Sequence, residues 1–239
     1  MGKRDNEFEQ IEITRMKIAW CIFIPLYFYI LRNLIITPIL SILKVSSDEK
    51  ITYLYGHMIF QILMFTGIII LFFPMLKESL FNIKNESWKK VVKCIMKGLV
   101  CIIAACFVGA AIEYICYSGK MIPSQNEMSI REIIEVAPIP VFISSVILGP
   151  FVEEMIFRFV IYRTFRKINV ACGMIVSALA FGFIHIENAL LAGDTGAILS
   201  GITYVVMGLA FSHNYEKNKN IIMCTIIHSI YNLFVQSLH

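Results

Sequence analysis

Apolar stretches of membrane-crossing length recur along this chain, and nothing else in it constrains the fold as strongly. A helix spanning the hydrocarbon core needs about 20 mainly apolar residues. Seven candidates occur, at residues 18–43, 53–76, 92–117, 138–162, 169–188, 195–212 and 219–238. The expected fold class is all-α: a polytopic transmembrane helical bundle in which residues 1–239 form a single integral membrane domain. Composition agrees. The chain is 58% hydrophobic and 16% charged, against roughly 45–50% and about 25% for soluble proteins, and its mean hydropathy is +0.73. The net charge of +4 is spread out. No basic block with interleaved aromatics is present, so nucleic acid is not an expected partner; the lipid bilayer is.

Local signals refine this outline. Pro25, Arg32, Asn33 and Pro38 predict a bent or tilted first span. No small-residue cleavage site follows its first apolar stretch, so it reads as a retained helix. Gly149-Pro150 predicts a kink in the fourth span, because proline strips a carbonyl one turn earlier of its donor. Ser124 to Ala137 carries charge at helical spacing and reads as a short interfacial helix. Cys21, Cys94, Cys101, Cys106, Cys116, Cys172 and Cys224 form no C-x-x-C pair and read as small hydrophobes.

Lys and Arg in short loops set orientation. One side collects Lys3, Arg4, Arg15 and Lys17, then Lys77, Lys84, Lys89, Lys90 and Lys93, then Arg163, Arg166 and Lys167, then Lys217 and Lys219. The other side holds only Lys44, Lys50, Lys120 and Arg131. This bias predicts a multi-pass cell-membrane protein with a cytoplasmic N-terminus and an extracytoplasmic C-terminus.

Ionisable residues inside spans are functional candidates, since a charge at the bilayer centre costs at least ~2.5–3.5 kcal/mol. Glu153, Glu154 and Arg158 sit together in the fourth span. Glu154 and Arg158 are at i and i+4 with the acid first, which suits an ion pair. Helix neighbours point about 100° apart, so Glu153 faces elsewhere and is left without that partner. For Glu154 and Arg158, helix packing explains the residues as well as chemistry does. In the fifth span Phe181 and His185 share a face, and in the seventh so do His228 and Asn232. Either pair alone is consistent with interhelical hydrogen bonding. Three spans that each carry such groups point to chemistry. A buried glutamate can act as general base toward a water, a histidine can orient that water, and a second histidine with an amide can donate to a developing oxyanion. These parts suit amide hydrolysis without a covalent intermediate.

The remaining polar residues are blander. Arg32 reads as snorkelling or as a partner of Glu113, and His57 as interfacial. Glu187 and Asn188 read equally well as cavity-mouth residues or as the start of a loop. One tension concerns depth. At 1.5 Å per residue Glu153 and His228 lie about 14 Å from the inner ends of their spans, and His185 about 24 Å. The span boundaries are expected to give way rather than the site.

The motifs Glu153-Glu154-Met155-Ile156-Phe157-Arg158, Phe181-Gly182-Phe183-Ile184-His185 and His228-Ser229-Ile230-Tyr231-Asn232 resemble those of the CPBP intramembrane proteases. That family includes type II CAAX prenyl endopeptidases and bacterial bacteriocin-processing or self-immunity proteins. The resemblance covers residues 138–239. It implies a glutamate-type endopeptidase in which Glu153 activates water shared with His185, while His228 and Asn232 face the oxyanion. Glu154, Arg158 and Phe181 are implied as supporting residues. No cofactor is expected. The family has also been treated as metalloproteases, and a glutamate with two histidines can in principle hold zinc. The metal-free mechanism is favoured because H-E-x-x-H is absent and the ligands would come from three helices. The expected substrate is a peptide or membrane protein segment, with peptide maturation or self-immunity as settings. The length looks bacterial, so a prenylated substrate is not carried over. The alternatives are a non-catalytic immunity or regulatory membrane partner, a transporter and a zinc peptidase; the absence of paired broken helices lowers the transporter reading.

Overall fold

The computed structural model describes residues 12–28, 42, 49–120 and 125–237. Most of the first apolar stretch, with Arg32, Asn33 and Pro38, lies outside them. Helix α1 covers residues 12–27, α2 Glu49–Asn85, α3 Trp88–Cys116, α4 Gln125–Ile134, α5 Pro138–Arg166, α6 Val170–Leu191, α7 Ala197–Asn218 and α8 Ile221–Gln236. The described residues contain no strand. In hydrocarbon a helix satisfies its own backbone hydrogen bonds, which is why such apolar stretches resolve into helices. Large apolar side chains point outward, among them Ile70 at 73% exposure, Phe107 at 72% and Ile115 at 75%. Such a surface is at home against lipid. The protein is a polytopic helical bundle.

Five helices, α2, α3, α5, α6 and α7, are long and apolar enough to cross a membrane. The expected seventh span is shorter than predicted. Helix α8 has 16 residues, about 24 Å at 1.5 Å per residue, and is set in by two residues at each end. Lys219 takes a left-handed conformation that ends α7, and the Asn220 side chain caps α8 by accepting from Met223 N at 3.0 Å. Helix α2 outruns its apolar stretch at both ends. Its bend falls at Phe72 (φ −110°, ψ 16°), two residues before Pro74, where the proline ring crowds the preceding turn. Helix α4 forms where an interfacial helix was expected, with an Arg131–Glu127 pair at 2.6 Å. Glu187 and Asn188 lie within α6, not in a loop, and Glu187 is buried. His57 is partly buried within α2. Glu113 Oε1 accepts from Thr203 N at 3.1 Å. All seven cysteines are free thiols.

Helix α5 runs through the centre: all nine residues from Glu154 to Tyr162 are buried. Its winding is π-helical over Ile143–Leu148 and again over Glu154–Tyr162. Such widened turns are frequent at functional sites. The Gly149-Pro150 step keeps helical dihedrals, with Leu148 at φ −73°, ψ −47° and Gly149 at φ −56°, ψ −59°. The widened turn accommodates the proline.

Tight helix contacts hold the other elements around α5. A Cβ on Gly208 of α7 would stand 2.8 Å from Ala178 Cα of α6, and one on Gly109 of α3 would stand 2.6 Å from Thr203 Cα of α7. Small residues let helices approach this closely, which matters in lipid, where packing rather than the hydrophobic effect drives helix association. At one end of the bundle Glu216 joins Arg166 (2.7 Å) and Lys219 (2.5 Å), so the basic loops after α5 and α7 are neighbours. At the other end the Tyr117 hydroxyl donates to Gly196 O at 2.9 Å.

The depth tension eases for Glu153 through a boundary, while His228, seven residues into α8, stays about 10 Å from that helix's start. Helix α5 continues to Arg166, which places Glu153 about 20 Å from its end at 1.5 Å per residue, close to the depth of His185 in α6. The pairing of the two helices is direct: Ser177 Oγ donates to Phe157 O at 2.9 Å.

Candidate active site

Three helices bring the motif residues together. Glu154 of α5 and His228 of α8 meet with Nδ1 3.0 Å from Oε1, and both are buried, at 0% and 3% exposure. A carboxylate only accepts, so Nδ1 carries the proton and Nε2 points away from Glu154. That Nε2 faces Glu153, 3.8 Å from Oε2. Glu153 is the more open acid, its side chain 18% exposed. Adjacent residues on one helix thus address opposite nitrogens of a single imidazole.

Arg158 compensates the buried Glu154 charge. Its Nη1 lies 3.5 Å from Glu154 Oε1, long for a hydrogen bond but close for two ions. Nη2 donates to Gly208 O at 3.4 Å. The guanidinium is fully buried between aromatic rings, 4.5 Å from the Phe181 centroid and 4.8 Å from that of Phe211. Ring faces attract such a cation strongly once it is desolvated. Sequence spacing anticipated the Glu154–Arg158 pair. It did not anticipate that His228 is the nearer partner of Glu154.

His185 of α6 has Nδ1 2.8 Å from Phe181 O. A carbonyl accepts, so this nitrogen is the donor and Nε2 keeps a lone pair. The ring lies between Phe181, 4.4 Å away, and Tyr204, stacked at 4.3 Å and 21°. His185 is within electrostatic range of Glu153, His228 and Arg158. Phe181 lies at the centre of the arrangement, with Phe157 at 5.3 Å, Phe211 at 5.7 Å and His228 at 6.2 Å.

Asn232 has a partner the sequence concealed. Its Nδ2 donates to the Ser145 carbonyl at 2.8 Å. In the widened turn Gly149 N bonds Ser144 O, so the next donor in register would be the residue-150 nitrogen to Ser145 O. Proline has no N–H, and the Asn232 amide takes its place. One amide proton of Asn232 is therefore committed to the backbone, and the second remains for other use.

Three further side chains border these groups and were missed. Phe211 packs on His228 at 4.2 Å, Tyr204 stacks on His185, and Gln61 of α2 bonds Ser144 beside Gly149. Tyr204 and Phe211 are two turns apart on one face of α7, a signal visible in the sequence. Gln61 is an uncharged polar residue inside an apolar stretch, with no ionisable group to mark it in the sequence. Among the described residues no three His, Cys, Asp or Glu side chains come together as metal ligands.

Comparison with known proteins converges on the same segment. Residues 135–234, which contain all three motifs, match the family described as Type II CAAX prenyl endopeptidase Rce1-like. The chain is 27% identical over 160 residues to "Putative membrane peptidase YdiL" of Bacillus subtilis, covering 66% of this chain and 61% of that protein. It is 28% identical over 111 residues to "UPF0177 protein YvdC" of Lactococcus lactis, covering 46% of this chain and 40% of that one. The chain thus matches less than two thirds of the length of either relative. No solved structure is significantly similar to it. Residues 135–234 are thus similar to the Rce1-like type II CAAX prenyl endopeptidases, and the similarity spans less than half of the chain.

Proposed function

We propose that the protein is an intramembrane endopeptidase that hydrolyses a peptide bond with water activated by Glu153. The observation that carries this reading is the order of charge along Arg158, Glu154, His228 and Glu153. Arg158 and Glu154 offset each other in full burial and orient the imidazole. Glu153, at the end of the series, keeps solvent access and is not committed to a buried cation.

The step follows from these positions. Glu153 takes one proton from water while His185 Nε2 accepts a hydrogen bond from the O–H that remains. The water oxygen bonds the scissile carbonyl carbon. The uncommitted Asn232 amide proton faces the oxygen that gains charge, and His228, held by its Nδ1–H bond to Glu154, lies beside it on the oxyanion side. Collapse breaks the C–N bond, and the proton on Glu153 passes to the leaving amine. The substrate is a peptide or a membrane protein segment, and the setting is peptide maturation or self-immunity in a bacterial cell membrane. The basic ends of α5 and α7 face the cytoplasm on this reading.

Mass spectrometry of peptides from cells carrying the wild type, Glu153→Ala or Glu153→Gln tests it. Peptides that depend on the wild type and vanish in both variants are the expected result. If both variants fold and leave the peptide profile unchanged, the proteolytic reading fails and a non-catalytic membrane role replaces it.

A further inference from the structure

One buried polar side chain lies at the site without a part in this mechanism. Gln61 belongs to α2, outside the family-matched segment, and is 6% exposed. Its Oε1 accepts the Ser144 hydroxyl at 2.7 Å. A hydroxyl donor selects the amide oxygen, so the NH2 group is turned the other way. Nε2 lies 3.3 Å from the point where a Cβ on Gly149 would stand, and Glu153 Oε1 lies 3.8 Å from that same point. A donor and a carboxylate oxygen therefore face one gap, which exists because Gly149 has no side chain. Among the described residues Nε2 makes no hydrogen bond. The other oxygen of Glu153 faces His228 Nε2.

We propose that Gln61 is a positioning residue for Glu153. Its amide N–H holds Oε1, and the carboxylate is set between an amide on one oxygen and an imidazole on the other. The argument rests on the reading of Glu153 as the base. A neutral donor suits that role: it fixes the carboxylate without the ion pairing that Arg158 gives Glu154. His185 and Arg158 also lie within electrostatic range of this group, and neither makes a hydrogen bond to it. Ser144 acts through Gln61 by setting the amide's orientation.

The test uses the full chain in lipid nanodiscs with Gln61→Met, Ser144→Ala and the two combined. The double variant removes donor and hydroxyl together and leaves no orphaned group if Gln61→Met alone folds poorly. The first readout is infrared difference spectroscopy of the carboxylate stretch, assigned to Glu153 by its loss in Glu153→Gln. The second is turnover of an internally quenched fluorogenic peptide selected for cleavage by the wild type. The Glu153 band is expected to shift in Gln61→Met and in the double variant, and to a lesser degree in Ser144→Ala. Turnover is expected to lose about 10- to 100-fold in kcat with KM within twofold, the signature of a misplaced catalytic group. An unmoved band in the folded variants overturns the proposal, as does a change in KM alone. If Glu153→Gln cleaves the peptide like the wild type, the proteolytic reading falls while the band still decides the Gln61–Glu153 contact.

Discussion

Removing the Asn232 amide probes a bond that substitutes for one proline cannot make. In Asn232→Leu the Ser145 carbonyl loses the donor that reaches it at 2.8 Å, and the side-chain volume is nearly kept. Leaving such a group unsatisfied costs about 1–3 kcal/mol. The half-buried position of Ser145 places the expectation in the lower half of that range. Pro150→Ala returns an N–H to the residue-150 nitrogen, which faces the same carbonyl in the widened turn. Asn232→Leu should therefore cost much less in the Pro150→Ala background, and a double-mutant cycle should show coupling of about 1 kcal/mol. Reversible unfolding in mixed detergent micelles measures all four proteins. Equal costs of Asn232→Leu in both backgrounds would refute the shared-carbonyl argument. Cleavage assays on the same set separate two roles of Asn232. Stability restored without activity assigns its second amide proton to the substrate, and joint recovery assigns the residue to helix packing alone.

Other perturbations have equally definite outcomes. Arg158→Met leaves Glu154 charged and fully enclosed, and should destabilise by about 3–5 kcal/mol in the same unfolding assay, with most of the loss recovered by adding Glu154→Gln. Gly149→Ala places a methyl 2.8 Å from Ser144 O, between Gln61 Nε2 and Glu153 Oε1; overpacking should cost about 1–3 kcal/mol and lower cleavage together with it. Tyr204→Leu removes the ring stacked on His185, an interaction worth about 0.5–1.5 kcal/mol, and should lower kcat more than Tyr204→Phe does in steady-state cleavage. Activity of purified protein should persist under a strong chelator, and chelator-sensitive cleavage restored by zinc would return catalysis to a metal.

The α-helical fold was legible because lipid leaves a chain few choices: long apolar stretches, each able to close its own hydrogen bonds, become helices whatever surrounds them. The Glu154–Arg158 pair was legible for the same local reason, since i and i+4 meet on any helix. Even here the local rule was incomplete. Spacing set Glu153 apart from Arg158 without showing that both glutamates address His228, because that histidine arrives from a helix 74 residues further on. The end of α5 was misplaced by four residues because Arg163 and Arg166 read as loop charges. In the structure Arg166 is held by Glu216, which lets the helix continue beyond its apolar stretch.

The sequence by itself therefore determined which segments are helical and which polar side chains are too costly to bury without purpose. Tertiary structure alone decided what those side chains touch. Proline at residue 150 announces a missing donor, but only packing of α8 against the widened turn identifies Asn232 as its replacement. Gln61 carries no charge to draw attention, and only the approach of α2 to the bare Cα of Gly149 sets its amide opposite Glu153. Helix formation depends on residues three to five apart, whereas the site depends on contacts between helices, whose register follows from side-chain fit across distant parts of the chain.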